Sequence, residues 1–432
     1  MTKSIAYFFL LLTSLAGRAQ DTLRLQDAVN IALKNSLDIQ LAANDVEANT
    51  ILNNRGVAGG LPLATASVTD NEQVSTINQK LNTGVTINRN AAAVNNLNSN
   101  VGVSLLLYNG NRVVATRGRL AQLQKQSQEL LNSQVQNIIG AVMTGYYDIV
   151  RQQSYLKTIE VSIDASRQQL SIVKTRQLAG LANNADLFQA QIDLNALLQA
   201  QLSQQLIIDQ AKTELLRLLT LKPDSVIAIR DTILVDKMIS LDQVMNSLHQ
   251  NADIIASDDQ VRINELIVKE TAALRYPSLR ATAGYNFNRN QAAAGQLLLN
   301  QNYGPSVGVT IGIPIYNGSI FKRQQRVAEI NVRNAQLSRN ILMRDYSSQV
   351  VKSYQSYSST LSQLETEQQN YTLSLQLLDL VLKRFQFKEA TIVDVKNAQQ
   401  SFEQSGYRLV NLSYAAKFAE IELKRLGNQL KL

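Results

Sequence analysis

The side chains that could carry acid–base or metal chemistry are few. The chain has one histidine, His249, and Asp253 follows it one helical turn later. A histidine beside a carboxylate can relay a proton, so this pair is the best case for an enzyme. The apolar periodicity around His249 reads as a helix face, however, where an imidazole packs or is solvated. There is no cysteine and no tryptophan, which removes disulfides and thiolate-bound metals. A single histidine gives no ligand set for zinc or haem and no base for a hydrolase. The reading is therefore not an enzyme, with no metal and no cofactor. The formal charge of +8 raises nucleic acid as a partner, but Lys and Arg are scattered singly through helical stretches, as on solvated faces, so no nucleic acid is expected. Two further carboxylates, Asp186 and Asp394, stand at equivalent places in a duplicated plan.

That duplication is the strongest internal signal. Tyr108-Asn109-Gly110 recurs as Tyr316-Asn317-Gly318, 208 positions later. Asp186, Ala190 and Gln191 return at the same offset as Asp394, Ala398 and Gln399, and Glu214, Leu215, Arg217 and Leu218 as Glu422, Leu423, Arg425 and Leu426. Upstream, Leu25, Ala28, Val29 and Asn35 match Leu241, Val244, Met245 and Asn251 at 216. The predicted layout is a signal peptide at 1–19, a first repeat at 20–220, a linker at 221–239 and a second repeat at 240–432. Each repeat reads helix, β-hairpin (61–108 and 278–315), very long helix, tight turn, helix. The helices are predicted at 22–55, 111–178, 185–220, 240–274, 319–387 and 392–427. All five prolines, at 62, 223, 277, 305 and 314, fall outside them, as the cost of about 3 kcal/mol for proline inside a helix requires.

The long helices carry narrow seams. Val350, Tyr354, Tyr357, Leu361, Leu364, Gln368, Tyr371, Leu375, Leu378, Leu382 and Phe385 keep heptad spacing. Val142, Tyr146, Ile149, Leu156, Ile163 and Leu170 do so in the first half. The other faces are Gln, Ser, Asn and Lys, as in antiparallel coiled coils. A helix of about 65–70 residues is roughly 100 Å long, too long for a compact domain.

The strands alternate. Leu279, Ala281, Ala283, Tyr285 and Phe287 interleave with Arg280, Thr282, Gly284, Asn286 and Asn288; Val307, Val309, Ile311, Ile313 and Ile315 interleave with small and polar residues; so do Val101, Val103, Leu105 and Leu107. The strands are predicted at 61–70, 98–108, 278–289 and 303–315, with polar loops at 71–97 and 290–302. One apolar and one small polar face suits a strand crossing an outer membrane. Four strands cannot close a barrel, since single-chain barrels begin at about eight, and an open edge in lipid strands backbone groups. Three copies would pool twelve. At the N-terminus, Lys3, the apolar run Ile5–Leu15 and Gly17-Arg18-Ala19 read as a signal peptide cut after Ala19. No later stretch is long and apolar enough for a helical span.

These features together resemble the TolC family of outer-membrane efflux proteins. The carriers are the duplicated helix–hairpin–helix plan, the repeated Tyr-Asn-Gly, and the segment Ala390-Thr391-Ile392-Val393-Asp394-Val395-Lys396-Asn397-Ala398. The resemblance implies an α+β membrane protein: a homotrimer with a shared twelve-stranded β-barrel in outer-membrane lipid and a helical tunnel, an α-barrel, in the periplasm. It implies a passive duct of a tripartite efflux or type I secretion system, docked to a periplasmic adaptor (membrane fusion) protein and an inner-membrane pump of RND or ABC type. It places a periplasmic gate at Asp394 and Asn397, with Asp186 in the equivalent first-repeat turn. Three copies of Asp394 around a constriction would form a negative ring; Asp394 equally suits the capping of the returning helix. Adaptor contact falls on Gly180, Leu181 and Ala182 and on Glu389, Ala390 and Thr391. Where the family locks its entrance with a tyrosine and an arginine, this chain has Phe385 and Ala390, which leaves Arg384 or Lys388 as substitutes. A surface coiled-coil or adhesive protein with a soluble β-region is the alternative.

Overall fold

The computed structural model describes residues 22–430, so the predicted signal peptide lies outside the described residues. Along the chain run α1 (Leu25–Asn35), α2 (Leu37–Leu52), β1 (Leu63–Lys80), β2 (Thr86–Asn109), α3 (Arg112–Leu178), α4 (Asn184–Leu218), α5 (Leu241–Ser247), a 3-10 turn (Leu248–Gln250), α6 (Ala252–Ala273), β3 (Ser278–Ala292), β4 (Leu299–Gly312), α7 (Ile320–Gln386) and α8 (Ile392–Leu426). α3 and α7 have 67 residues each, and α4 and α8 have 35 each. Contacts divide the chain into two compact units. One comprises Leu130–Ile255 with the described parts of Met1–Ala43 and Ile341–Leu432; the other comprises Asn44–Glu129 and Ala256–Asn340.

In the first unit, apolar clusters lie between paired helices. Val142, Tyr146, Ile149 and Val150 of α3 pack with Ala28, Val29 and Ala32 of α1 and Leu215 of α4. Val350 and Tyr357 of α7 pack with Leu423 and Leu426 of α8 and Val244 of α5. A third cluster joins Val173, Ala190, Leu378, Leu382, Phe385, Val395 and Phe402. The linker lies against these helices. Leu23 N donates to Ala228 O at 2.9 Å beside a single parallel bridge, Thr22↔Ala228. Tyr146 Oη donates to Leu23 O at 3.1 Å and to Asp231 at 3.3 Å, and Tyr357 Oη donates to Asp236 O.

In the second unit the sheet has the order β1-β2-β3-β4, antiparallel throughout. In its middle rows apolar and polar residues segregate by face: Val101, Tyr285 and Pro305 share one row, and Asn100, Asn286 and Gly304 the next. Pro305 sits on β4, an edge strand, where a missing N–H costs no ladder bond inside the sheet.

Three expectations are corrected. The loop predicted at 71–97 is mostly strand, because β1 runs on to Lys80 and β2 begins at Thr86; asparagine-rich sequence with weak strand propensity is carried by pairing with a neighbour. The loop predicted at 290–302 shrinks for the same reason, and β4 stops at Gly312, just before Pro314. The single helices predicted at 22–55 and 240–274 are each broken. Ser36 Oγ accepts Ile39 N at 3.4 Å, and Asn251 Oδ1 accepts Asp253 N at 2.9 Å, so each side chain competes with the helical backbone and restarts the helix.

Candidate functional site

The α3–α4 and α7–α8 turns have one geometry written with different residues. Each long helix ends in a left-handed residue, Gly180 (φ 71°) or Lys388 (φ 66°). Leu181 N returns to Arg176 O at 2.8 Å, and Glu389 N to Arg384 O at 2.9 Å. These are Schellman closures, which satisfy carbonyls left over at a helix end. Each returning helix opens with a capping box. Asn183 Oδ1 accepts Asp186 N at 2.7 Å while Asp186 accepts Asn183 N at 3.4 Å. Thr391 Oγ1 accepts Asp394 N at 3.2 Å while Asp394 accepts Thr391 N at 2.7 Å and the Thr391 hydroxyl at 2.8 Å. Asp394 is therefore the third residue of its helix and Thr391 the cap, a refinement of the expected capping. These bonds to Thr391, backbone first and hydroxyl second, hold the Asp394 carboxyl below its ordinary range.

Asp394 and Asn397 line one open groove with Arg384, Glu389, Ala390 and Ser401. Asp394 is exposed and Asn397 is exposed beside it. Arg384 turns into its own loop, donating to Glu389 O at 3.1 Å and lying 3.9 Å from the Glu389 carboxylate. Phe385 is buried in the cluster with Val395 and Phe402. Sequence reasoning missed its partner: Arg176 of α3 donates to Phe385 O and stacks its guanidinium 4.4 Å from the ring centroid. Lys396 of α8 pairs with Asp193 of α4 at 3.2 Å. Thus a cation from each side ties the two hairpins together. Arg176 stands in the last turn of α3, the only local signal it offers. Leu181 is exposed, as are Leu178 and Phe188 near it, while Ala182 is half-buried.

Two charged groups inside the helices were also not anticipated. Glu367 replaces the expected Gln368 at the buried seam of α7 and accepts Ser405 Oγ at 2.6 Å and Arg408 Nε at 3.2 Å. Glu420 is 2% exposed and accepts Lys417 Nζ, Lys424 Nζ and Asp236 N, each at 2.9 Å. The i+4 spacing of Glu420 and Lys424 was visible in the sequence; the linker partner was not.

The Tyr-Asn-Gly markers are strand-to-helix turns. Gly110 (φ 66°) and Asn111 (φ 65°) are both left-handed, as are Gly318 (φ 64°) and Ser319 (φ 64°). Only glycine fits at 110, where a Cβ would stand 2.7 Å from Tyr276 Cβ and 2.8 Å from Ala273 O. Asn109 Oδ1 accepts Val113 N at 3.3 Å. Tyr108 and Tyr316 are exposed, and Asn317 is half-buried. His249 is not on a continuous helix face: it is exposed in the 3-10 turn, and the break at Asn251 separates it from Asp253. Asp253 accepts Tyr346 Oη at 2.6 Å instead. Among the described residues no group of three or more His, Cys, Asp or Glu is placed to hold a metal ion.

A sheet with one apolar face, four strands and two open edges, in a chain of long capped helical hairpins, defines a component of an outer-membrane channel. Residues 28–220 and 244–429 match the family model described as outer membrane efflux protein. The chain belongs to that family: it is a TolC-like outer-membrane channel protein whose helical part lies in the periplasm. It is 23% identical over 310 residues to the outer membrane protein TolC of Vibrio cholerae, covering 67% of each chain. It is 22% identical over 349 residues to TolC of Escherichia coli K12, covering 76% of this chain and 70% of that one. Its fold matches the crystal structure of the outer membrane protein VceC from Vibrio cholerae with a TM-score of 0.77 at 17% identity, over 93% of this chain and 96% of that one.

Proposed function

We propose that three copies pool their strands into one twelve-stranded barrel and conduct cargo passively, as the outer-membrane duct of a tripartite efflux or type I secretion system. The observation that carries this reading is the sheet: β1 and β4 are edges, and exposed Val307, Val309 and Ile311 share the apolar face. Unpaired edges in lipid cost several kcal/mol for each unsatisfied group, and a neighbouring copy satisfies both. The duct works without chemistry of its own; an inner-membrane pump of RND or ABC type supplies the work through a periplasmic adaptor. The adaptor meets the turns at Gly180, Leu181 and Ala182 and at Glu389, Ala390 and Thr391.

The gate is formed by the groove of Asp394 and Asn397, with Asp186 at the matching first-repeat turn. Three Asp394 carboxylates form a negative ring that favours cations. The closed state rests on Arg176 at Phe385 and on Lys396 at Asp193, with Arg384 and Lys388 free to serve the turn itself. The test is a planar-bilayer recording with a salt gradient. Asp394→Ala lowers cation preference, and Arg176→Gln raises the open fraction. Unchanged reversal potential in the first variant rules out the acidic ring. A mature protein that is monomeric in mild detergent rules out the shared barrel.

A further inference from the structure

The polar face of the sheet is a ladder of carboxamides. One row reads Asn71, Asn96, Asn290, Asn300 across all four strands. The next reads Thr69, Asn98, Asn288, Asn302, and the third Ser67, Asn100, Asn286, Gly304. The side chains bond along the rows and, at Asn286, to the row below. Asn290 donates to Asn96 at 2.7 Å, Asn288 to Asn302 at 2.9 Å, and Asn286 to Ser306 Oγ at 2.9 Å; Asn100 donates to Asn286. Below them the same face continues with Thr65, Gly102, Gly284 and Ser306, then Leu63, Ser104, Thr282 and Gly308, before Leu106 and the first charge on this face, Arg280. The other strand charges at this level, Asp70, Glu72 and Arg289, fall on the opposite face by alternation, as do Tyr285, Phe287 and Tyr303.

We propose that this face is a binding surface for uncharged polyhydroxylated cargo, a carbohydrate chain. A carboxamide offers two N–H donors and a carbonyl acceptor. Among the bonded carboxamides, Asn286 engages both a donor and its acceptor and Asn96, Asn100, Asn288, Asn290 and Asn302 one group each, which fixes their orientation and leaves their remaining groups pre-arranged toward the open side. A sugar hydroxyl both donates and accepts, which matches that array; a charged cargo finds no counter-ion on it. Without aromatic rings the contacts are hydrogen bonds alone. Binding is therefore weak and repeated along the rows, as passage requires. The proposal builds on the shared-barrel reading, in which the rows of neighbouring copies wind around the lumen as the tilted strands require.

The test is saturation-transfer NMR on the detergent-solubilised full-length protein, with maltohexaose as probe and polyethylene glycol of equal size as comparison, since its chain accepts hydrogen bonds but has no internal donors. The expected result is transfer to the sugar and none to the glycol. The triple variant Asn96→Val, Asn288→Val, Asn290→Val should bind at least about tenfold more weakly, or not at all. The triple variant to Gln, which keeps the carboxamides, should retain binding and show that the effect is not misfolding. Equal signals from sugar and glycol, no signal from either, or sugar binding unchanged in the Val variant overturns the proposal. Mass measurement of the same sample reads the parent proposal separately: carboxamide-dependent binding by a monomer would leave this surface standing and remove the shared barrel.

Discussion

At the scale of single residues, the turn residue Lys388 is the informative one. It occupies the left-handed position that Gly180 fills in the first repeat, and a side chain there costs about 1 kcal/mol. Lys388→Gly is therefore expected to stabilise the protein by roughly that amount, read as a higher thermal midpoint by circular dichroism. Nothing in the residue type announces this conformation; only equivalence with Gly180 could have found it. The helix start at Asp394 was legible but its roles were not: the sequence reading made Asp394 the cap, whereas Thr391 caps the helix and Asp394 answers it from the third position. Its pH dependence follows from the direction of the shift. The folded carboxyl of Asp394 is held below its ordinary value by Thr391, so the ionised form is favoured in the folded state. Its contribution is present above the unfolded pKa and is lost as pH falls through the lower folded one. Carbon-detected titration of Asp394 should give a midpoint below that of the Thr391→Ala variant, which removes the hydroxyl bond; equal midpoints would contradict the assignment.

At the scale of elements, equivalent positions do not carry equal loads. Gly110 and Gly318 have the same φ, but a Cβ at 110 strikes Tyr276 and the Ala273 carbonyl whereas one at 318 meets nothing within 4 Å. Gly110→Ala is expected to cost roughly 2–4 kcal/mol, combining strain with overpacking. Gly318→Ala should cost about 1–2 kcal/mol, the left-handed penalty alone. Thermal midpoints of the two variants would separate them. The linker makes a second case. Glu420→Ala leaves Lys417 buried without a counter-charge and releases Asp236 N, at a cost of about 3–5 kcal/mol. Lys417→Met with Glu420→Leu should recover much of the loss, because removing both charges avoids the unpaired one.

The long helices were legible nearly to the residue, since proline exclusion and heptad spacing are local properties. The strands were legible only where apolar residues alternate. Val94 to Leu97 lie before the predicted strand and pair anyway, held by β1 and β3 on either side. The ties at the turns were not legible, because Arg176 and Phe385 meet from distant parts of the sequence.

At the scale of the whole molecule, the two sheet faces should answer differently to charge. Val309→Arg on the apolar face is expected to cost about 2–4 kcal/mol and to reduce assembly in the outer membrane, measured as heat-resistant protein in membrane fractions. Thr282→Arg, on the polar face beside an existing arginine row, should assemble normally. Equal loss in both would remove the assignment of faces to lipid and water.

The matched helix lengths have a further consequence. Two hairpins of the same build, each a 67-residue helix and a 35-residue one, would make the proposed trimer nearly sixfold in its backbone. The loops undo that likeness: Gly180-Leu181-Ala182 is neutral and greasy, while Lys388-Glu389-Ala390 carries both signs of charge. A hexagonal collar pressed against this end would touch alternating ground, three contacts of each kind, and its subunits would divide into two populations.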